Sequence, residues 1–227
     1  MADDFPISEA YLAHLSRFVT DHKQALFERI LDARTRHLTV VLEDLYQTQN
    51  ASACLRTCDC FGIQDVHVIE NANRFRVNRD IAVGATRWLT LHRHNALPHN
   101  TLAGIEALRA AGYQIVATVP GRDSLPLDKY DITAKTALLF GTETTGLSDA
   151  ALAAAEVRLH VPMHGFTESL NISNSLAICL HHLAAKLRRS EVAWHLSAPE
   201  RLQLKILWSR SVVRRWLPHL DETFLEG

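Results

Sequence analysis

The chain has 227 residues, 25.5 kDa, with 47% hydrophobic and 22% charged residues and a formal net charge of −1. That balance excludes a disordered chain, and the length is enough for one large core without disulfide or metal staples. No run approaches 18 apolar residues, which excludes a transmembrane helix, and the acidic start Met1-Ala2-Asp3-Asp4 lacks the apolar stretch of a signal peptide. A cytoplasmic protein is therefore expected.

Residues 8 to about 33 carry Leu12, Leu15, Phe18, Val19, Leu26, Ile30 and Leu31 at helical spacings, with Ser8 and Glu9 at the start, and predict one amphipathic helix. Leu38–Leu42 is a short β-branched run that reads as a buried strand. Asn50 can cap a helix running to about Phe61, with Gly62 ending it. Val66–Ile69 reads as a second strand, Arg87–His92 as a third. Thr101–Ala111 predicts a helix closed by Gly112, with Leu102, Ile105 and Leu108 on one face. Strands follow at Ile115–Val119, Thr136–Phe140 and Val157–Val161, the last two separated by a short helix capped by Ser148. Asn171–Leu187 predicts a long helix buried through Ile172, Leu176, Ile178, Cys179 and Leu183, and Pro199 starts a final one with Leu202, Ile206 and Val213 apolar. Strands alternating with helices mean an α/β fold with a mostly parallel sheet.

The four cysteines, Cys54, Cys58, Cys60 and Cys179, match neither a secreted disulfide framework nor the usual zinc and iron–sulfur spacings, and read as reduced thiols. No G-x-G, P-loop or G-x-S-x-G motif occurs. His92-Arg93-His94 and His181-His182 offer no ligand set, so no metal is expected. Charge is unevenly spread. Arg74, Arg76, Arg79, Arg87 and Arg93 face only Asp80 between residues 71 and 95. Lys186, Arg188, Arg189, Arg201, Lys205, Arg210, Arg214 and Arg215 face only Glu191 and Glu200 between 186 and 216, while Asp221, Glu222 and Glu226 add compensating acid in the tail. Two basic blocks suit a phosphate-binding face; solvated helix faces explain them as well.

Three loops at the carboxyl ends of predicted strands stand out, because open α/β sheets bind ligands there. The first runs from Asn50 to Arg56, whose guanidinium offers a planar fork for phosphate; a capping Asn and a surface Arg explain it equally well. The second, Phe140-Gly-Thr-Glu-Thr-Thr-Gly-Leu-Ser148, brackets the lone acid Glu143 between two glycines, more than an ordinary βα turn requires. The third, Val161-Pro-Met-His-Gly-Phe-Thr-Glu-Ser-Leu-Asn-Ile-Ser173, feeds a helix N-terminus whose backbone donors suit an anion.

In this order the loops resemble the three motifs of the SPOUT methyltransferases, most closely the branch that methylates the ribose 2′-hydroxyl of RNA. Arg56-Thr-Cys-Asp-Cys-Phe-Gly resembles the first motif, and the other two loops match at nearly every defining position over residues 38 to about 188. The resemblance implies a trefoil knot near the C-terminal end of the sheet, S-adenosylmethionine as methyl donor, and a homodimer whose sites borrow residues across the interface. It maps donor contacts onto Thr118, Gly141, Val161, Pro162, Met163 and Leu170, and functional positions onto Asn50, Arg56, Glu143, Ser169 and Asn171. It divides the chain into an N-terminal helical extension (1–36), a methyltransferase domain (37–190) and a C-terminal helical extension (191–227). Short helical extensions are similar to those of the transfer-RNA enzymes that methylate a D-loop guanosine. RNA contacts are then expected at Arg74, Arg76, Arg188, Arg210, Arg214 and Arg215, with base stacking at Asn73-Arg74-Phe75-Arg76 and with Trp208 and Trp216 as packing residues. A 23S ribosomal-RNA ribose methyltransferase, an RNA-binding protein that lost catalysis, and a small-molecule enzyme are the alternatives.

Overall fold

A computed structural model describes residues 5–121 and 123–225. Met1-Ala2-Asp3-Asp4 and the tail acid Glu226 lie outside the described residues.

Ser8 caps α1 (Glu9–Ser16), its side chain accepting from the Tyr11 amide. The single helix expected over residues 8–33 is two. Thr20 caps a second start, α2 (Asp21–Leu31), and the Gln24 amide donates to the carbonyls of Ser16 (3.0 Å) and Val19 (2.7 Å). One side chain of α2 thus ties together the turn between the two helices, which stabilises the break.

The middle of the chain alternates as read from the sequence. It runs β1 (Leu38–Glu43), α3 (Thr48–Cys60), β2 (Asp65–Ile69), α4 (Arg79–Ala82), β3 (Thr90–His94), α5 (Thr101–Ala110) and β4 (Gln114–Thr118). It continues with β5 (Leu125–Pro126), β6 (Thr136–Phe140), α6 (Asp149–Ala154), β7 (Val157–His160) and α7 (Ile172–Arg188). The third strand begins later than expected because Ala85–Arg87 forms a 3-10 turn. Asn50 is not a cap: α3 starts two residues before it, with Gln47 in the cap position. Leu102 and Ile178 are exposed, not buried. Steps of three residues drift about 60° off a helix face, and Ile178 lies about 200° around from Leu176.

The seven strands lie in the order β3-β2-β1-β6-β4-β7-β5, every neighbouring pair parallel. Central β1 is buried along its length, with Val40 opposite Val66 and Leu138. Strand alternation sends Leu38, Val40 and Leu42 into the core shared with α3 and α7. Val41 joins Ile105 of α5, Ala151 of α6 and Leu139 in the core on the other face. The α7 stripe Leu176, Leu180, Leu183 and Leu187 is fully buried, at about 1.5–3 kcal/mol per leucine.

The described residues form two compact units. One runs from Thr35 to Trp194 and holds the whole sheet. The other gathers the residues up to Arg34 with those from His195 on, including α8 (Ala198–Val212) and α9 (Leu217–Leu225), a further helix beyond the one expected to end the chain. Within it Phe27 packs on Trp208 edge to face at 5.4 Å, and Arg201 pairs with Glu28 at 3.0 Å.

Candidate active site

A cleft of about 600 Å³ opens at the carboxyl ends of β4, β6 and β7, within the usual range for a small-molecule site. One wall is the loop between β6 and α6. A Cβ on Gly141 would lie 2.1 Å from the carbonyl of Gly146 and 2.3 Å from the Leu147 nitrogen, so only glycine fits. That approach lets Thr142 and Gly146 exchange two backbone hydrogen bonds of 3.0 Å, with Gly146 at φ +71°. Thr142 and Thr145 close the turn through their hydroxyls at 2.7 Å, Leu147 is buried below, and Ser148 caps α6. The loop is fixed at both ends and presents Glu143 to the cleft.

Asn50 joins the three loops. Its amide donates to Glu143 Oε1 and to Gln47 Oε1 (2.7 Å), and its carbonyl accepts from Asn171 Nδ2 at 3.2 Å. Asn171 in turn caps α7, its Oδ1 accepting from the Ser173 amide at 2.9 Å. An asparagine uses both halves of its amide here, so Asn50, almost wholly buried, fixes the direction in which Glu143 points.

Of the residues expected to touch a donor, Thr118, Gly141, Val161, Met163 and Leu170 line the cleft, and Ser169 does too. Pro162 is exposed and is not among the lining residues. The Thr118 hydroxyl is committed to the Leu139 carbonyl at 2.7 Å. Arg56 is exposed on α3, outside the lining, its side chain making no hydrogen bond or ion pair among the described residues. Sequence reasoning missed Asp123, Ser124, Glu168 and Cys179, which also line the cleft. The turn signal Pro120-Gly121 directly after a strand could have pointed to the first two.

The expected RNA contacts divide. Arg74, Arg76, Arg214 and Arg215 are exposed. Arg188 is exposed as well, while donating to the Phe61 carbonyl at 2.7 Å. Arg210 is a correction: it is buried, paired with Asp221 at 2.8 Å, hydrogen-bonded to Tyr11 and stacked over Phe5. Its charge is taken by Asp221. Phe75 is buried in the sheet core and offers no face to a base. Trp208 packs inside, as expected, but Trp216 is 67% exposed.

Among the described residues the cleft carries three carboxylates, Asp123, Glu143 and Glu168, against Arg158. That balance disfavours a phosphate and suits a small ligand bearing positive charge. Burial pushes the Cys179 thiol up to about 12, so it lines the cleft as a neutral S–H and not as a nucleophile. With Leu152, Leu159, Val161 and Ile172 as apolar wall, the site can hold a mixed apolar and cationic molecule beside a fixed carboxylate.

A model of the SpoU rRNA methylase family matches residues 37–181. A tRNA (guanosine(18)-2′-O)-methyltransferase of Borreliella burgdorferi is 42% identical over 202 residues, 89% of this chain and 91% of that protein. The A. aeolicus TrmH/SpoU tRNA modifying enzyme superposes with a TM-score of 0.75 at 24% identity, over 85% of this chain and 98% of that one, a likeness of fold. The SpoU methyltransferase AviRb of Streptomyces viridochromogenes, solved in complex with the cofactor AdoMet, gives 0.60 at 26% identity, over 72% of this chain and 65% of that one.

Proposed function

The chain belongs to the SpoU rRNA methylase family, and from that premise we propose that it transfers a methyl group from S-adenosylmethionine to the 2′-hydroxyl of a D-loop guanosine in transfer RNA, the guanosine at position 18. The observation that carries this reading is the cleft at the carboxyl end of the sheet, closed by the Gly141–Leu147 loop, with Asn50, Glu143 and Asn171 tied together at its edge. Its chemistry fits the donor. The Gly141–Gly146 contact opens backbone to a flat ring, apolar side chains cover it, and the carboxylates favour a sulfonium cation.

Bound there, S-adenosylmethionine supplies an activated methyl group. We assign the holding of the donor to Thr118, Gly141, Val161, Met163 and Leu170, and the orientation of the ribose to Asn50, Glu143, Ser169 and Asn171. Methyl transfer is an in-line displacement: the 2′-oxygen bonds the methyl carbon, the carbon–sulfur bond breaks, and the hydroxyl proton leaves. Holding the two reactants in line accounts for much of the rate. A guanidinium stays charged near neutral pH, so Arg56 is assigned to a phosphate of the RNA, whose oxygen accepts the proton. The Arg56 side chain has no partner to give up among the described residues, and it stands outside the cleft lining. We infer that a second copy of the chain brings it to the reaction, as a homodimer would.

We further propose that the chain around the cleft is threaded as a trefoil knot, that Arg74, Arg76, Arg188, Arg214 and Arg215 meet RNA phosphates, and that the domain divides at about residues 36 and 190. No described helix is long and apolar enough to cross a membrane; we infer a cytoplasmic enzyme.

The test is transfer of labelled methyl from S-adenosylmethionine to unmodified transfer RNA, with the nucleotide mapped and Arg56→Ala run alongside. Label on a D-loop guanosine ribose, lost in the variant, supports the reading. Label only when 23S ribosomal RNA is supplied refutes the choice of RNA. Donor binding without label on either RNA refutes the activity.

A further inference from the structure

β1 ends in Glu43 and Asp44 follows it, two acids that take no part in the cleft lining. Glu43 is 3% exposed and alternates with Val41 onto the α5 and α6 face. Its partners are neutral donors. Oε1 accepts from Thr101 Oγ1 (2.6 Å) and Ser148 Oγ (2.7 Å), and Oε2 accepts from the Ser148 amide (2.9 Å). Burying a carboxylate is costly unless such bonds satisfy it, and bonds to a charged acceptor are the strong ones. Ser148 is the residue at which the Gly141–Leu147 loop ends. The carboxylate therefore grips that loop from behind.

Asp44 does the corresponding work on another loop. It sits at φ +55°, and its carboxylate accepts from the amides of Asn71 (2.9 Å) and Asn73 (2.8 Å) and from Asn73 Nδ2 (3.1 Å). Those residues lead directly into Arg74 and Arg76. The two grips are linked: Asn71 Nδ2 donates to the Thr101 hydroxyl at 3.0 Å, and that hydroxyl donates to Glu43.

We propose that Glu43 and Asp44 are positioning residues, Glu43 setting the donor loop through Ser148 and Asp44 setting the arginine loop through Asn71 and Asn73. The inference rests on reading the cleft as the donor site and the arginine loop as an RNA contact.

The test uses the full chain carrying Glu43→Gln, Asp44→Asn or Ser148→Ala. An amide in place of the Glu43 carboxylate must turn a donor toward the Ser148 amide or toward the two hydroxyls. Asparagine tolerates the left-handed backbone at 44, so that variant changes only the carboxylate. Affinities for S-adenosylmethionine and for transfer RNA are measured separately, together with amide hydrogen exchange. Glu43→Gln should weaken donor binding by roughly tenfold, the loss expected of a charge-assisted bond, with RNA affinity held within about twofold. Ser148→Ala should do the same by about threefold. Asp44→Asn should reverse the pattern. Equal effects on both ligands, or none, would overturn the proposal, because residues that only support the fold give no split. If the unaltered chain binds no donor, the reading of the cleft fails, and exchange alone decides. Faster exchange confined to residues 142–148 in Glu43→Gln upholds the positioning role; unchanged or chain-wide exchange ends it.

Discussion

Replacing Gly141 by alanine isolates the contact on which the cleft depends. The added methyl carbon would lie 2.1 Å from both the carbon and the oxygen of the Gly146 carbonyl, and 2.3 Å from the Leu147 nitrogen. All three are backbone atoms, so no flexible side chain can yield. The loop must swing off the strand end, and the two 3.0 Å bonds between Thr142 and Gly146 go with it. At about 1 kcal/mol each, those bonds put the stability loss near 2 kcal/mol. In a chain of this size that is a fall in melting temperature of about 4–8 °C. Gly146→Ala is the control. Its φ of +71° makes alanine strained by about 1–2 kcal/mol, but a Cβ there meets nothing within 4 Å. The two variants should therefore lose similar stability and differ in function. Gly141→Ala should lose donor affinity by at least about tenfold, equivalent to 1.4 kcal/mol, while Gly146→Ala stays within about threefold. Calorimetric titration with S-adenosylmethionine, beside thermal melts, reads both. Donor binding by Gly141→Ala at the unaltered level, or a greater loss in Gly146→Ala, would refute the claim that this contact shapes the site.

Arg210→Met should destabilise the chain by about 1–3 kcal/mol, the low end reflecting the 35% exposure of Asp221, because it strips the partner from a mostly buried ion pair. It should leave the salt dependence of RNA binding unchanged, whereas Arg214→Ala with Arg215→Ala should flatten the slope of log affinity against log salt by about one to two; a flatter slope for Arg210→Met would show that it does touch phosphate. Acid sensitivity should centre on His67, which stacks on His92 and His94, bonds His94 at 3.1 Å and lies near Asp65. Burial, then the charges of His92 and His94, lower its pKa from 6.5 to about 3. The unfolded chain therefore binds the proton first, and stability present above pH 6.5 is lost as pH falls toward 3, roughly 2–3 kcal/mol of it by pH 4.5. Urea midpoints against pH should show that slope and should flatten in His67→Gln; an identical acid slope in the variant would exclude His67 as its source.

The strands were legible because a central parallel strand is buried on both faces and reads as an unbroken apolar run; β6 falls at Thr136–Phe140 as predicted. Helix starts were legible where a side chain caps them, as at Ser8, Ser148 and Asn171. They failed where a second start competed, at Thr20, and where the cap has no side-chain bond, at Gln47. Asn50 then lands inside α3, and its role comes from residues 93 and 121 positions away. The loop sequences announced a site; they did not say that one amide joins all three.

Charge was the least legible property, because whether an ionisable side chain faces water is decided by packing. Arg210 and Arg214 stand in the same basic run and carry the same side chain, yet one is buried on Asp221 and the other is exposed. Nothing local in the sequence marks Glu43, since its partners Thr101 and Ser148 lie 58 and 105 residues away. Arg56 is the converse case. Its motif marks it for chemistry, but the described residues of its own chain supply it neither a counter-charge nor a place in the cleft lining. A cation held open on the same helix as the tightly bound Asn50 is poised for a ligand that the described residues do not contain. Phosphate is such a ligand; the cleft carboxylates would also attract a guanidinium, but Arg56 stands outside their lining in its own chain, and they repel phosphate, which is the physical reason for assigning Arg56 to the RNA and the carboxylates to the methyl donor.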